Sequence, residues 1–93
     1  MDAEPVAGRD AVDTVISKLG VVPVAVIDDA ARAVPLGEAL LAGGLPCAEI
    51  TFRTDAAPGA IAALVQAFPE MAVGAGTVLT VDQAGAAVAA GAR

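Results

Sequence analysis

The chain has 93 residues, with 11 acidic and 5 basic side chains, one Cys, and no His, Trp or Tyr. A formal charge of −6 argues against nucleic acid, whose phosphates need Lys and Arg to neutralise them. One Cys closes no internal disulfide, and without His or a second Cys a zinc site lacks ligands, so no metal is expected.

The acidic start Met1-Asp2-Ala3-Glu4-Pro5 is unlike a basic secretory leader, and residues 1–8 read as a frayed leader to a domain over 9–93. From Arg9 to Leu19, the residues Val12, Val15, Ile16 and Leu19 recur at helical spacing, and Gly20 closes the segment. The longest strongly apolar run, Leu19 to Ile27, is far too short to span a bilayer, so a soluble, cytoplasmic protein is expected. Within it, the β-branched run Val21 to Ile27 is apolar on both faces, as buried parallel strands are, although Pro23 removes a ladder donor. Asp28 or Asp29 is placed to cap a helix from about 30 to 42, with Pro35 marking its first turn or a break and Gly43-Gly44 at its end.

Cys47 to Phe52 is predicted as a second strand and Ala57 to Phe68 as a second β-α helix, with Ile61, Leu64, Val65 and Phe68 on one stripe. Met71 to Gly74 is predicted as a third strand. Thr80 and Gln83 form a capping-box pattern before a last helix, Val81 to Ala90. A leading helix followed by three β-α units implies an α/β fold with a parallel sheet, either barrel or doubly wound. With 57% hydrophobic residues and only 2% aromatic, Ala, Val and Leu must supply a broad, thin core.

Period-two alternation sets Cys47, Glu49, Thr51 and Arg53 on one face of the second strand and Ala48, Ile50 and Phe52 on the other. The apolar face belongs under helices. The polar face then points to a barrel interior or cleft, where Glu49 and Arg53 either reach one small ligand or form a structural ion pair. Gly74-Ala75-Gly76-Thr77 ends the third strand, reading either as a tight turn or as close backbone approach to a ligand. The acidic pair Asp28-Asp29 also fits a phospho-receiver module, but helix capping accounts for it better. Lys18, the one lysine, lies off the apolar stripe of the leading helix. Cys47, with no His to activate it, reads as a small buried hydrophobe.

Three motifs taken together resemble the 2-keto-3-deoxy-6-phosphogluconate (KDPG) aldolase and 4-hydroxy-2-oxoglutarate aldolase family. They are Val21-Val22-Pro23-Val24, the run Gly44-Leu45-Pro46-Cys47-Ala48-Glu49-Ile50-Thr51-Phe52-Arg53, and Gly74-Ala75-Gly76-Thr77-Val78-Leu79. The resemblance runs from about Asp10 to Arg93 and implies the N-terminal portion of a (β/α)8 TIM barrel. It implies a class I, Schiff-base aldolase that cleaves 2-dehydro-3-deoxy-6-phosphogluconate to pyruvate and glyceraldehyde 3-phosphate. Glu49 would be the catalytic acid/base, and Arg53 and Thr77 would bind the pyruvyl carboxylate of a 2-keto acid substrate. No metal or organic cofactor is implied, and a homo-oligomer, a trimer in the family, is expected at full length. The family's Schiff-base lysine lies on the sixth strand, beyond these residues, so the isolated chain is expected to be inactive. The alternative is a non-catalytic half-barrel that associates through its open edges.

Overall fold

A computed structural model of the chain describes residues 9–93. The leader expected over 1–8 lies outside the described residues. Helix α1 (Arg9–Leu19) ends at Gly20, whose φ of 74° is open to glycine at little cost. Strand β1 (Val24–Ala25) leads through a 3-10 turn (Ala30–Arg32) into α2 (Ala33–Ala42). Strand β2 (Cys47–Thr51), α3 (Ala57–Ala67), β3 (Ala72–Gly76) and α4 (Val81–Ala90) complete the order.

The helix ends are built from the residues that the sequence marks. Asp29 caps the 3-10 turn, its carboxylate accepting the Ala31 N–H at 3.0 Å. Pro35 is the third residue of α2, where the missing N–H costs nothing. At the other end of α2, the N–H of Leu45 reaches the Leu40 carbonyl and that of Gly44 the Leu41 carbonyl, a Schellman closure that uses a φ of 80° at Gly44. Thr80 and Gln83 form the full capping box of α4.

The three strands are parallel in the order β1-β2-β3, with Glu49 opposite Val24 and Gly74, and Thr51 opposite Gly76. All three strands differ in their bounds from the sequence expectation, β2 only by ending at Thr51 instead of Phe52. The first strand pairs only over Val24–Ala25, although the Pro23 carbonyl still accepts the Glu49 N–H at 2.8 Å; a prolyl nitrogen can add no bond of its own. The third runs on to Gly76, two residues further than predicted, because its glycines pair with β2.

Helices α2, α3 and α4 lie on one face of the sheet, over Ala48, Ile50 and Val73. Ala33, Ala57 and Ala60 are fully buried, so the helices approach closely on small side chains. On the opposite face, Val12, Val15 and Leu19 of α1 close over Cys47 and Ala72 at the N-terminal end of the strands. Sequential strand order with every β-α helix on one face is the arrangement of a (β/α) barrel wall; a doubly wound sheet would reverse direction and use both faces.

Candidate active site

The face of the sheet away from α2, α3 and α4 carries the polar side chains of β2. Alternation along β2 turns Ala48 and Ile50 into the helix-covered core and leaves Glu49 half-buried on the inner face. Val22, Val24 and Val26 are exposed along β1 and its flanks. Glu49, Val22, Val24, Gly74, Ile16 and Arg93 border a hollow of about 290 Å³ on this face.

The Glu49 carboxyl does not lie above Gly74, its partner across the sheet, but reaches one step further along β3. A Cβ placed on Gly76 would sit 2.5 Å from Glu49 Cδ and 2.6 Å from Oε2. Gly76 is therefore the seat of the acid: the missing side chain leaves the volume that the carboxyl fills. From sequence, these glycines read as a tight turn or as close backbone approach to a ligand; here one of them accommodates the chain's own carboxylate.

Thr77 follows immediately, half-buried, with φ of 53°. A β-branched residue in this left-handed region is held there against its own steric preference, and such backbone concentrates at functional sites. It stands at the C-terminal end of β3, the end at which barrel enzymes build their sites.

Arg53 is placed differently from the face that alternation predicts. Strand β2 ends at Thr51; the Phe52 N–H still donates to the Gly76 carbonyl at 2.9 Å, but residues 52–53 form a turn, so the period of two is not carried through to Arg53. Arg53 is exposed and borders a second hollow of about 300 Å³, between the β2–α3 turn and the start of α4, together with Asp55, Asp82 and Gln83. The Thr54 hydroxyl ties this turn to the end of β1 by donating to the Ile27 carbonyl. Glu49 and Arg53 thus share the C-terminal side of the sheet while bordering separate hollows.

Sequence reasoning set Thr51 on the polar face and gave it no role. It is 2% exposed, and its Oγ1 is buried without a hydrogen-bond partner. An orphaned buried hydroxyl costs about 1–3 kcal/mol, which a site tolerates when the group has work to do. The signal available in the sequence was its place between Glu49 and Arg53 in the alternation.

The remaining candidates stand apart. Cys47 is buried under α1, its Sγ 3.6 Å from the Val21 carbonyl oxygen, and burial pushes its thiol up from the ordinary cysteine value. Lys18 is exposed near the end of α1. Asp29 is occupied as a cap, as the capping reading of the acidic pair expects. No helix among the described residues is long and apolar enough to cross a membrane.

The model of the KDPG and KHG aldolase family matches residues 12–93. The chain belongs to that family. Among its relatives is the 2-dehydro-3-deoxy-phosphogluconate aldolase of Treponema pallidum (strain Nichols), 49% identical over 78 residues, which cover 84% of this chain and 37% of that protein. The KHG/KDPG aldolase of Escherichia coli (strain K12) is 40% identical over 85 residues, covering 91% of this chain and 40% of that protein. A KDPG aldolase structure from Legionella pneumophila, with pyruvate captured at low pH as a covalent carbinolamine intermediate, superposes with a TM-score of 0.73. It is 49% identical, over 77% of this chain and 35% of that one. The enzyme from Zymomonas mobilis ATCC 29191 gives a TM-score of 0.76 at 44% identity, over 87% of this chain and 39% of that one. This chain therefore spans roughly two fifths of the length of these family members. Its fold is the N-terminal portion of their barrel, and these relatives are aldolases.

Proposed function

We propose that this chain supplies the proton-transferring and carboxylate-binding part of a class I aldolase that cleaves 2-dehydro-3-deoxy-6-phosphogluconate to pyruvate and glyceraldehyde 3-phosphate. The observation that carries this reading is the Glu49 carboxyl seated over Gly76 on the inner face, beside the strained Thr77 at the strand ends. A lysine amine adds to the substrate ketone and, with loss of water, gives a protonated Schiff base. Glu49 takes the proton of the C4 hydroxyl as the C3–C4 bond breaks, and the electron pair runs to the Schiff-base nitrogen. The resulting enamine is reprotonated at C3, and water releases pyruvate and the lysine. Arg53 holds the pyruvyl carboxylate through charge-assisted bonds and Thr77 through its hydroxyl. The iminium is its own electron sink, so the chemistry calls for no cofactor.

The amine is not Lys18, which is exposed on α1 and absent from the residues bordering the Glu49 hollow. The 93-residue chain alone is accordingly inactive, and borohydride in the presence of pyruvate leaves it unmodified; a stoichiometric adduct would overturn this. A cytoplasmic setting and homo-oligomeric assembly at full length belong to the same reading. Its direct test is a chimera in which residues 1–93 replace the matching N-terminal part of the E. coli KHG/KDPG aldolase. Pyruvate release by the chimera supports the reading, with loss on Glu49→Gln. A folded chimera without activity sinks it.

A second reading, a non-catalytic association module, draws on the exposure of Val22, Val24 and Val26 along the open face. A defined oligomer that binds no pyruvate would favour it.

A further inference from the structure

Two polar groups converge on Gly76 from β2. One is the Glu49 carboxyl, which occupies the place of the missing Gly76 side chain. The other is Thr51, which is paired with Gly76 across the sheet and projects from the same face of β2 as Glu49. Adjacent strands lie about 4.8 Å apart, so the Thr51 side chain stands one strand spacing from the position that the carboxyl fills. Its hydroxyl is buried and has no partner, and the residue is 2% exposed. A threonine hydroxyl needs only rotation about Cα–Cβ to change what it addresses. The partner on offer at this place is a carboxylate, which accepts and cannot donate.

We propose that Thr51 is a positioning residue for Glu49: its Oγ1 donates a hydrogen bond to the Glu49 carboxylate and fixes the direction in which that group exchanges protons. The inference rests on the aldolase reading only for its consequence in catalysis; the pairing itself is a property of β2 and β3. Valine keeps the shape of Thr51 and removes the donor, whereas serine keeps the donor and removes a methyl group.

The test begins with the full 93-residue chain, labelled with ¹³C at its glutamate carboxyls and recorded with and without sodium pyruvate; the Glu49 signal is assigned by its loss in Glu49→Gln. Thr51→Val is expected to move that resonance, Thr51→Ser to return it, and the Glu38 and Glu70 resonances to stay in place. A Glu49 resonance unmoved by Thr51→Val in both conditions overturns the pairing. The second measurement uses the chimera with the E. coli enzyme and so does not depend on the short chain tolerating valine. Loss of a hydrogen bond to a charged group predicts a fall in kcat of about tenfold or more, with KM changed by less than about twofold and recovery in Thr51→Ser. A loss of thermal stability with kcat unchanged would make Thr51 structural and end the proposal. An inactive but folded parent chimera would sink the aldolase reading while the carboxyl resonance still decides the pairing. An active parent with an equally active Thr51→Val variant would sink this inference alone.

Discussion

The two faces of the sheet are made by the same strands and obey opposite rules. Ala48, Ile50 and Val73 lie under helices with at most 1% of their surface exposed, while Val24, on β1 beside them, is 63% exposed. On the covered face every side chain is apolar and fixed by its neighbours. On the open face a carboxyl, a buried hydroxyl and two glycines occupy two successive rows of the sheet beside exposed valines. Apolar packing is therefore concentrated on one side and the polar groups on the other, and substitutions one residue apart should have consequences of different kinds.

The largest effect is expected at Ile50. Truncation to alanine on the covered face removes buried methylene groups and leaves a cavity, a loss of about 2–5 kcal/mol. For a domain of this length that approaches the whole folding free energy, so urea denaturation of Ile50→Ala should show little or no folded baseline. Val24→Ala should change the unfolding free energy by no more than about 0.5 kcal/mol. Equal losses at both sites would erase the contrast between the faces.

Gly76→Ala should separate chemistry from stability. The new methyl group meets the far end of a flexible side chain, so the fold should yield at little cost while the Glu49 carboxyl is pushed from its seat. In the active chimera, kcat should fall by about 100-fold, the usual consequence of a catalytic group misplaced by an ångström. Combining Gly76→Ala with Glu49→Gln should add little to the loss from Glu49→Gln alone. A Gly76→Ala enzyme of parental activity would show that the seat does not matter.

Two smaller effects sharpen the same picture. Thr80→Ala removes the capping box and should cost about 1 kcal/mol, read as a lower urea midpoint and faster amide exchange at Gln83. Cys47, whose thiol is pushed up by burial, should react slowly with maleimide at pH 8 in the folded chain and quickly in urea. The folded state holds that proton where the unfolded chain releases it. This contribution is thus complete below the unfolded thiol value of about 8.5 and declines as pH rises above it. A thiol that labels equally fast in both states would place Cys47 outside the core.

The sequence was most legible where chemistry and backbone geometry are tied locally. The bounds of α4 follow from Thr80 and Gln83, the 3-10 turn that leads into α2 from Asp29, and the stripe of α1 from Val12, Val15 and Leu19. Strand lengths were less legible, since pairing depends on the neighbouring strand. Seven β-branched or apolar residues gave two paired ones in β1, and glycines that weaken a strand reading proved to be paired in β3. Glu49 faces the hollow as alternation predicts, because alternation holds from Cys47 to Thr51. Arg53 was misplaced by the same rule, because the strand ends between them. That Gly76 makes room for Glu49 had no sequence signal, since the contact joins residues 27 apart across a register that only pairing defines.

Gly37, buried in α2, faces Phe68 so closely that a Cβ there would lie 2.5 Å from the ring atom Cε2. The chain has only two aromatic residues, Phe52 and Phe68. The α-protons of Gly37 therefore sit in the ring current of a lone, tightly held phenyl group, and their displaced resonances should report in a single proton spectrum whether α2 is docked on α3. That signal is remote from Glu49. It offers a gauge of folding that any variant of the open face can be read against before its chemistry is judged.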